Sequence, residues 1–274
     1  MKKRLAFILA RFGNFLLALY QKRFLIFEMA KRDVMTNLAG SMLGFFWTFI
    51  NPSINIAVLW FVFGVLFRSP AVGGAPYIVY MTAGMAVWNT FSEIINNSTN
   101  VFVGNAHLVK KVLFPLSILP VVKVAASLVT HGVFLLLLIM LILSHKMPVS
   151  LFWFQALYYF FAMCVLALGI SWITSSVNVF SRDTVQIVNV VLQLGFWATP
   201  IVWDPKTVPQ KLMFLLRFNP MYYVVEGYRG SFLSPEPFWA HWKMMLYFWG
   251  EASVIFALGA FFYTKLKPHF ADVL

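Results

Sequence analysis

The sequence is poor in the groups that carry covalent or redox chemistry. It has nine acidic residues, five histidines and one cysteine in 274 positions. A single thiol, Cys164, excludes an intrachain disulfide, and its apolar neighbours mark it as a buried, inert side chain. The histidines (His107, His131, His145, His241, His269) are scattered, with no i, i+4 pair and no nearby carboxylate cluster, so no metal site is expected. There is no G-x-x-x-x-G-K-[ST] loop to cradle a nucleotide, and no G-x-S-x-G turn to expose a nucleophile. The acids form no paired set for hydrolysis, and acids and histidines together are too sparse for a proton relay through a membrane. The chain is therefore read as a non-enzyme without a cofactor of its own. Any energy it uses must come from another polypeptide.

Apolar surface is what it has in excess. Hydrophobic residues make up 61% of the chain, charged ones 11%, and the mean hydropathy is +0.80. A soluble domain carries about 45–50% apolar and about 25% charged residues, so the expected class is an all-α integral membrane protein. Continuous apolar runs rather than alternation exclude a barrel. The net charge of +12 is read by location, because no basic face with interleaved aromatics suggests nucleic acid. The opening MKKRLAFILARFG resembles a leader, but its apolar stretch is short and Arg11 interrupts it. No small-residue cleavage site follows, so cleavage is not expected.

Charge sets the topology. Residues 1–37 hold eight basic side chains against Glu28 and Asp33, which predicts a cytoplasmic N-terminus. Within it Tyr20, Phe24, Phe27, Val34 and Leu38 share one helical face, opposite Gln21, Glu28, Arg32 and Thr36. That pattern predicts an amphipathic interface helix with Lys31 and Arg32 near lipid headgroups. Residues 38–274 are read as one transmembrane domain with spans at about 41–66, 77–100, 118–143, 151–177, 184–203 and 244–264. Both termini are then cytoplasmic. The second span turns polar at Glu93–Asn100, which predicts protein or water on that side; Glu93 is read as a packing or interfacial group, with a functional carboxylate as the alternative. The weak point is 204–243, an outer segment that still carries Lys206, Lys211, Arg217, Arg229 and Lys243. It is too polar for a crossing and too apolar for an aqueous loop, so a re-entrant segment is expected between the fifth and sixth spans.

Four motifs at matching topological positions carry a resemblance. They are Lys31-Arg32-Asp33 with Gly40-Ser41-Met42-Leu43-Gly44-Phe45-Phe46-Trp47 and Asn51-Pro52; Asn105 to Pro115, a loop of the L-x-K-K-x-x-F-P kind; Phe180-Ser181-Arg182-Asp183; and Phe218-Asn219-Pro220-Met221. Over nearly its whole length the chain resembles the membrane subunit of type-2 ABC exporters, particularly the permeases for bacterial O-antigen, capsule and teichoic acid. The resemblance implies a homodimer with two copies of a cytoplasmic ATPase, which hold ATP and Mg, and a lipid-linked polysaccharide as cargo in the bacterial inner membrane. It also implies that His107, Leu108, Val109, Lys110, Lys111, Val112, Leu113, Phe114 and Pro115 form a helix that couples to the ATPase. Tyr20, Phe24, Phe27, Lys31 and Arg32 would lie near that contact. Arg182 and Asp183 are read as a local pair at a cytoplasmic turn, and Phe218, Asn219 and Pro220 as an outer loop. Aromatic faces stack on sugar C–H surfaces, so Phe46, Trp47, Phe196, Trp197, Tyr222 and Tyr223 are candidates to line the glycan path. O-antigen is the first expectation among the glycans. A type-2 exporter of drugs or small lipids and a membrane-bound enzyme of envelope synthesis are the competing readings.

Overall fold

The computed structural model describes residues 17, 19–38, 44, 46–70, 73–110, 114–234 and 236–274, and among these there is no β-strand. The described residues form eight helices of eight or more residues: α1 Arg23–Leu38, α2 Phe46–Leu66, α3 Tyr77–Thr99, α4 Leu119–Ser144, α5 Gln155–Phe180, α6 Thr184–Ala198, α7 Pro220–Leu233 and α8 Trp242–Leu266. Among the described residues four helical stretches are long and apolar enough to cross a bilayer: Phe46–Leu66, Leu116–Ser144, Leu151–Phe180 and Phe238–Val273. These agree with the expected first, third, fourth and sixth spans to within a few residues at most ends. Pro52 sits inside α2 without ending it, and the last seven residues, Trp60–Leu66, widen into a π-helical turn.

The other two expected spans differ from simple apolar rods. α3 has the length, but Asn89, Ser92, Glu93, Asn96 and Asn97 lower its hydropathy. It nevertheless sits at the centre, packed on α4, α5, α6 and α7, with Val79, Met81, Ala83, Met85 and Val87 fully buried. The turn before it is closed by Gly73 and Gly74 at φ +61° and +82°, a conformation that favours glycine. α6 is apolar but has 15 residues, about 22 Å of helix against a hydrocarbon core of about 30 Å. Within the expected span 184–203 the helix ends at Ala198. Pro200 disfavours helical backbone at the residue before it, and Thr199 is extended at ψ 137°.

The expected outer segment 204–243 holds regular structure of its own. This segment contains α7, whose Met221, Val224, Val225, Tyr228 and Arg229 are buried against α3 and α5. Asn219 starts α7 by accepting a hydrogen bond from the Met221 N–H at 3.0 Å, and Pro220 occupies the first turn, where its missing N–H costs nothing.

α5 and α8 make the closest helix contact. A Cβ on Gly259 would lie 2.3 Å from the Gly169 carbonyl oxygen, and one on Gly169 would lie 2.9 Å from the Phe256 backbone. Small residues allow such backbone approach between apolar helices. α1 packs along α4 through Ile26 and Ala30 against Ile118 and Val122, and Asp33 pairs with Lys123 at 2.5 Å. That packed edge lies roughly 120° round the helix from the expected apolar face. Tyr20, Phe24 and Phe27 of that face are exposed, as are Lys31 and Arg32.

Candidate functional site

At one end of the bundle a non-helical turn, 199–203, is held carbonyl by carbonyl. The Arg229 guanidinium donates to the carbonyl oxygens of Pro200 (2.8 Å), Ile201 (3.1 Å) and Tyr80 (3.1 Å), pairs with the Glu226 carboxylate, and lies 3.6 Å over the Tyr80 ring. The Tyr77 hydroxyl donates to the Val202 carbonyl at 2.7 Å and the Tyr80 hydroxyl to that of Trp203 at 3.2 Å. Asn219 donates to Thr199 Oγ1 at 2.7 Å. Gly84 makes room for the guanidinium, since a Cβ there would lie 2.7 Å from an Arg229 nitrogen. A backbone turn whose carbonyls are all satisfied by protein can lie in a low-dielectric surrounding that would otherwise forbid it.

Asn219 and Pro220 thus start α7 and anchor the turn, while Phe218 is exposed beside Phe214. Arg229 was visible in the sequence only as one of several basic residues in the segment. Its signal was an arginine three residues after Glu226 within an otherwise apolar helix.

Below the turn, His131 of α4 is a buried bridge. Its Nδ1 lies 3.1 Å from Thr90 Oγ1 of α3 and its Nε2 lies 3.2 Å from the Tyr228 hydroxyl of α7. Thr90 uses its one proton on the Ala86 carbonyl at 2.7 Å. This network assigns the ring proton to Nδ1 and leaves Nε2 to accept from Tyr228. Phe160 covers the ring at 4.3 Å between centroids. The side chain is therefore a satisfied structural histidine joining three helices.

At the opposite end, α3 continues into two single-turn helices, Val101–Gly104 and Ala106–Val109. Asn178, near the end of α5, donates to the Thr99 carbonyl and to Asn100 Oδ1, both at 3.0 Å. Phe102 is fully buried and stacks near Tyr263 and Phe270, so the last helical turn of the chain, Phe270–Val273, seats against this segment. Among the described residues of the expected coupling stretch, His107, Leu108 and Val109 lie in the helical turn Ala106–Val109. Within the stretch His107 and Lys110 are exposed, Val109 is buried, and Leu108 and Phe114 pack on the cluster around Phe102; Pro115 is half-buried. Lys111, Val112 and Leu113 lie outside the described residues. Arg182 and Asp183, at the α5–α6 turn nearby, are exposed and make no ion pair with each other.

The aromatic candidates for a path separate into groups. Phe46, Trp47 and Trp197 are exposed, and Phe196 is half-buried against Trp88. Tyr223 is buried and its hydroxyl lies 3.1 Å from that of Tyr158, which accepts from Trp249 Nε1 at 2.8 Å. Tyr222 lines a cavity of about 420 Å³ together with Tyr80, Tyr159, Asp204 and Glu226, at the Thr199 end. α6 presents an exposed stripe of Ile187, Val190, Val191 and Leu194, and α2 presents Ile54, Val58, Phe61 and Val65. The two are joined where Phe63 meets Trp197, at 6.4 Å between ring centroids. Sequence reasoning passed over this aliphatic stripe because it sought aromatics.

The chain is similar in sequence to several known transport proteins. O-antigen export system permease protein RfbA of Klebsiella pneumoniae is 26% identical over 251 residues, which is 91% of this chain and 95% of its own. The protein of the same name from Myxococcus xanthus is 28% identical over 218 residues, 78% of this chain and 82% of its own. Polysialic acid transport protein KpsM of Escherichia coli is 20% identical over 196 residues, 71% and 76% of the two chains. The profile of the ABC-2 type transporter family matches residues 25–233. This chain belongs to the ABC-2 type transporter family.

Proposed function

We propose that this chain is the transmembrane permease of an ATP-driven exporter that carries lipid-linked polysaccharide, O-antigen first among the candidates, across the bacterial inner membrane. The observation that carries the reading is its likeness, over most of both chains, to permeases named for O-antigen export. The KpsM likeness makes capsule polysaccharide the second candidate. Two identical permease chains work with two cytoplasmic ATPase subunits, which bind ATP and Mg. The permease has six crossings, α2 to α6 and α8, with both termini in the cytoplasm.

Several features support this reading. α6 is too short alone, and the protein-satisfied turn 199–203 completes its depth. α7 dips from the outer side, because Tyr228 reaches His131 near the middle of α4. The exposed apolar stripes of α2 and α6 flank α3 and suit a surface that meets a second copy around a path. The exposed His107 and Lys110 suit a docking surface for the ATPase, with Phe102 and Phe270 as its packed base.

Deletion of the gene, with surface glycan and inner lipid-linked glycan assayed separately, tests the reading. Loss at the surface with accumulation inside is expected. An unchanged surface would refute polysaccharide export, and loss in both places would favour a role in synthesis.

A further inference from the structure

α2 carries a polar stripe that its membrane setting makes costly. Thr48, Asn51 and Asn55 recur on one side of an otherwise apolar span, and both asparagines are exposed. Among the described residues neither side-chain amide has a hydrogen-bond partner. Unpaired amides facing hydrocarbon are unfavourable, so this stripe calls for a polar occupant.

The stripe forms one wall of a groove of about 390 Å³ between α2, α3 and α4. That volume falls in the range of small-ligand sites, about 300–1,000 Å³. On the floor, Glu93 accepts from Thr130 Oγ1 at 3.3 Å, which leaves most of its acceptor capacity open. Asn89 beside it donates to the Met85 carbonyl at 2.9 Å and keeps its own carbonyl oxygen open. Trp47 and Phe134 add apolar surfaces to the lining.

The charges narrow the occupant. Lys123 is the one lysine or arginine on α2, α3 and α4, and Asp33 holds it at 2.5 Å. A phosphate headgroup would meet the Glu93 carboxylate with no cation to offset it. A hard metal ion takes six or more oxygens and several carboxylates, and this groove has one carboxylate. Many amide and carboxylate hydrogen-bonding positions beside flat apolar rings suit an uncharged ring bearing several hydroxyls.

We propose that this groove binds the sugar ring of a membrane-borne glycolipid, with Glu93, Asn51 and Asn55 on its hydroxyls and Trp47 against its C–H face. Resident glycosyl lipids and the proximal sugar of a lipid-linked glycan present the same chemistry. The inference rests on the groove and not on the export reading.

The test uses the full-length protein in phosphatidylcholine nanodiscs. Photoreactive monoglucosyl diacylglycerol, diacylglycerol and phosphatidylglycerol are each added at equal mole fraction, and labelled peptides are counted. The glucolipid is expected to label α2–α4 roughly tenfold more than either comparator, a difference of about 1.4 kcal/mol. Asn55→Leu, a surface change on an apolar span, should abolish that preference, and Glu93→Gln should reduce it. In a second arm an isoprenoid-pyrophosphate-linked monosaccharide is added as competitor. Displacement identifies cargo as the source and persistence identifies resident glycolipid, and both support a sugar site. Equal labelling by the three lipids, preference for phosphatidylglycerol, or a preference unchanged in both variants would overturn it. Surface glycan measured in the deletion strain carrying each variant reports on export separately, so the two readings fail independently.

Discussion

α3 and α2 lie side by side and invert the usual relation between polarity and burial. α3 is rich in asparagine, serine and threonine and carries Glu93, yet it is the most enclosed helix of the bundle. α2 is largely apolar, yet Pro52 and Ile56 are its only buried residues among the described ones. In water this arrangement would be inside out. In a bilayer it follows from solvent: lipid accepts apolar side chains as readily as a core does, so hydrophobicity no longer selects the interior. Hydrogen bonding and close packing select it instead. The exposed stripes of α2 and α6 are therefore free to meet lipid, cargo or a second copy without endangering the fold around α3.

That contrast is open to direct attack. The largest effect is expected from Arg229→Leu, which leaves Glu226 unpaired and the carbonyls of Pro200 and Ile201 without donors. Breaking a buried charged network of this kind costs about 3–5 kcal/mol. A large fall in thermal unfolding temperature in detergent, with protease sensitivity appearing near 199–203, is the expected result.

His131→Phe should come next, at about 1–3 kcal/mol, because Thr90 and Tyr228 each lose a partner at the junction of α3, α4 and α7. Thermal unfolding of that variant beside Tyr228→Phe and the double variant would isolate the bridge, since residues in one network are expected to be non-additive.

Leu194→Ser on the α6 stripe should change stability by no more than about 0.5 kcal/mol while lowering surface glycan. A fall in unfolding temperature as large as that of His131→Phe would mean that α6 belongs to the core and would collapse the contrast. Lys110→Glu should leave unfolding unchanged and abolish ATP-dependent export, read as surface glycan at normal permease abundance. It is a cleaner probe than a change at Phe114, which packs on the cluster around Phe102 and would disturb the fold as well.

Much of the architecture was legible in the residues. Long apolar runs located four spans, and the expected third and fourth differ from the helices 116–144 and 151–180 by three residues at most. Phe218-Asn219-Pro220 was legible only as an outer loop, whereas Asn219 and Pro220 also start α7. What was missed shares one physical cause. Periodicity reports which face of a helix is apolar, and in a membrane protein that face need not be the packed one. Hence α1 packs through Ile26 and Ala30 rather than through Phe24 and Phe27. α7 escaped because its burial depends on Arg229 finding carbonyls more than twenty residues away in sequence, and on Tyr80 from another helix. No local pattern encodes such a partnership. The polar stripe on α2 was hidden in the same way, since Asn51 and Asn55 lie in a largely apolar run and acquire meaning only beside Glu93 and Thr130.

The contact between Gly169 and Gly259 has a mechanical consequence. Two backbones that touch without intervening side chains have no rotamers with which to absorb a displacement. α8, about 38 Å long, is thereby held to α5 at Gly259, with the ring contacts of Trp172 to Tyr263 and of Phe161 to Trp249 continuing the seam on either side. At one end of this stiff seam Phe270 rests on Phe102, and toward the other Phe248 stacks on Tyr223 and Trp249 donates to the Tyr158 hydroxyl. Stiffness at one glycine pair thus links the chain's last turn to the opposite face of the bundle.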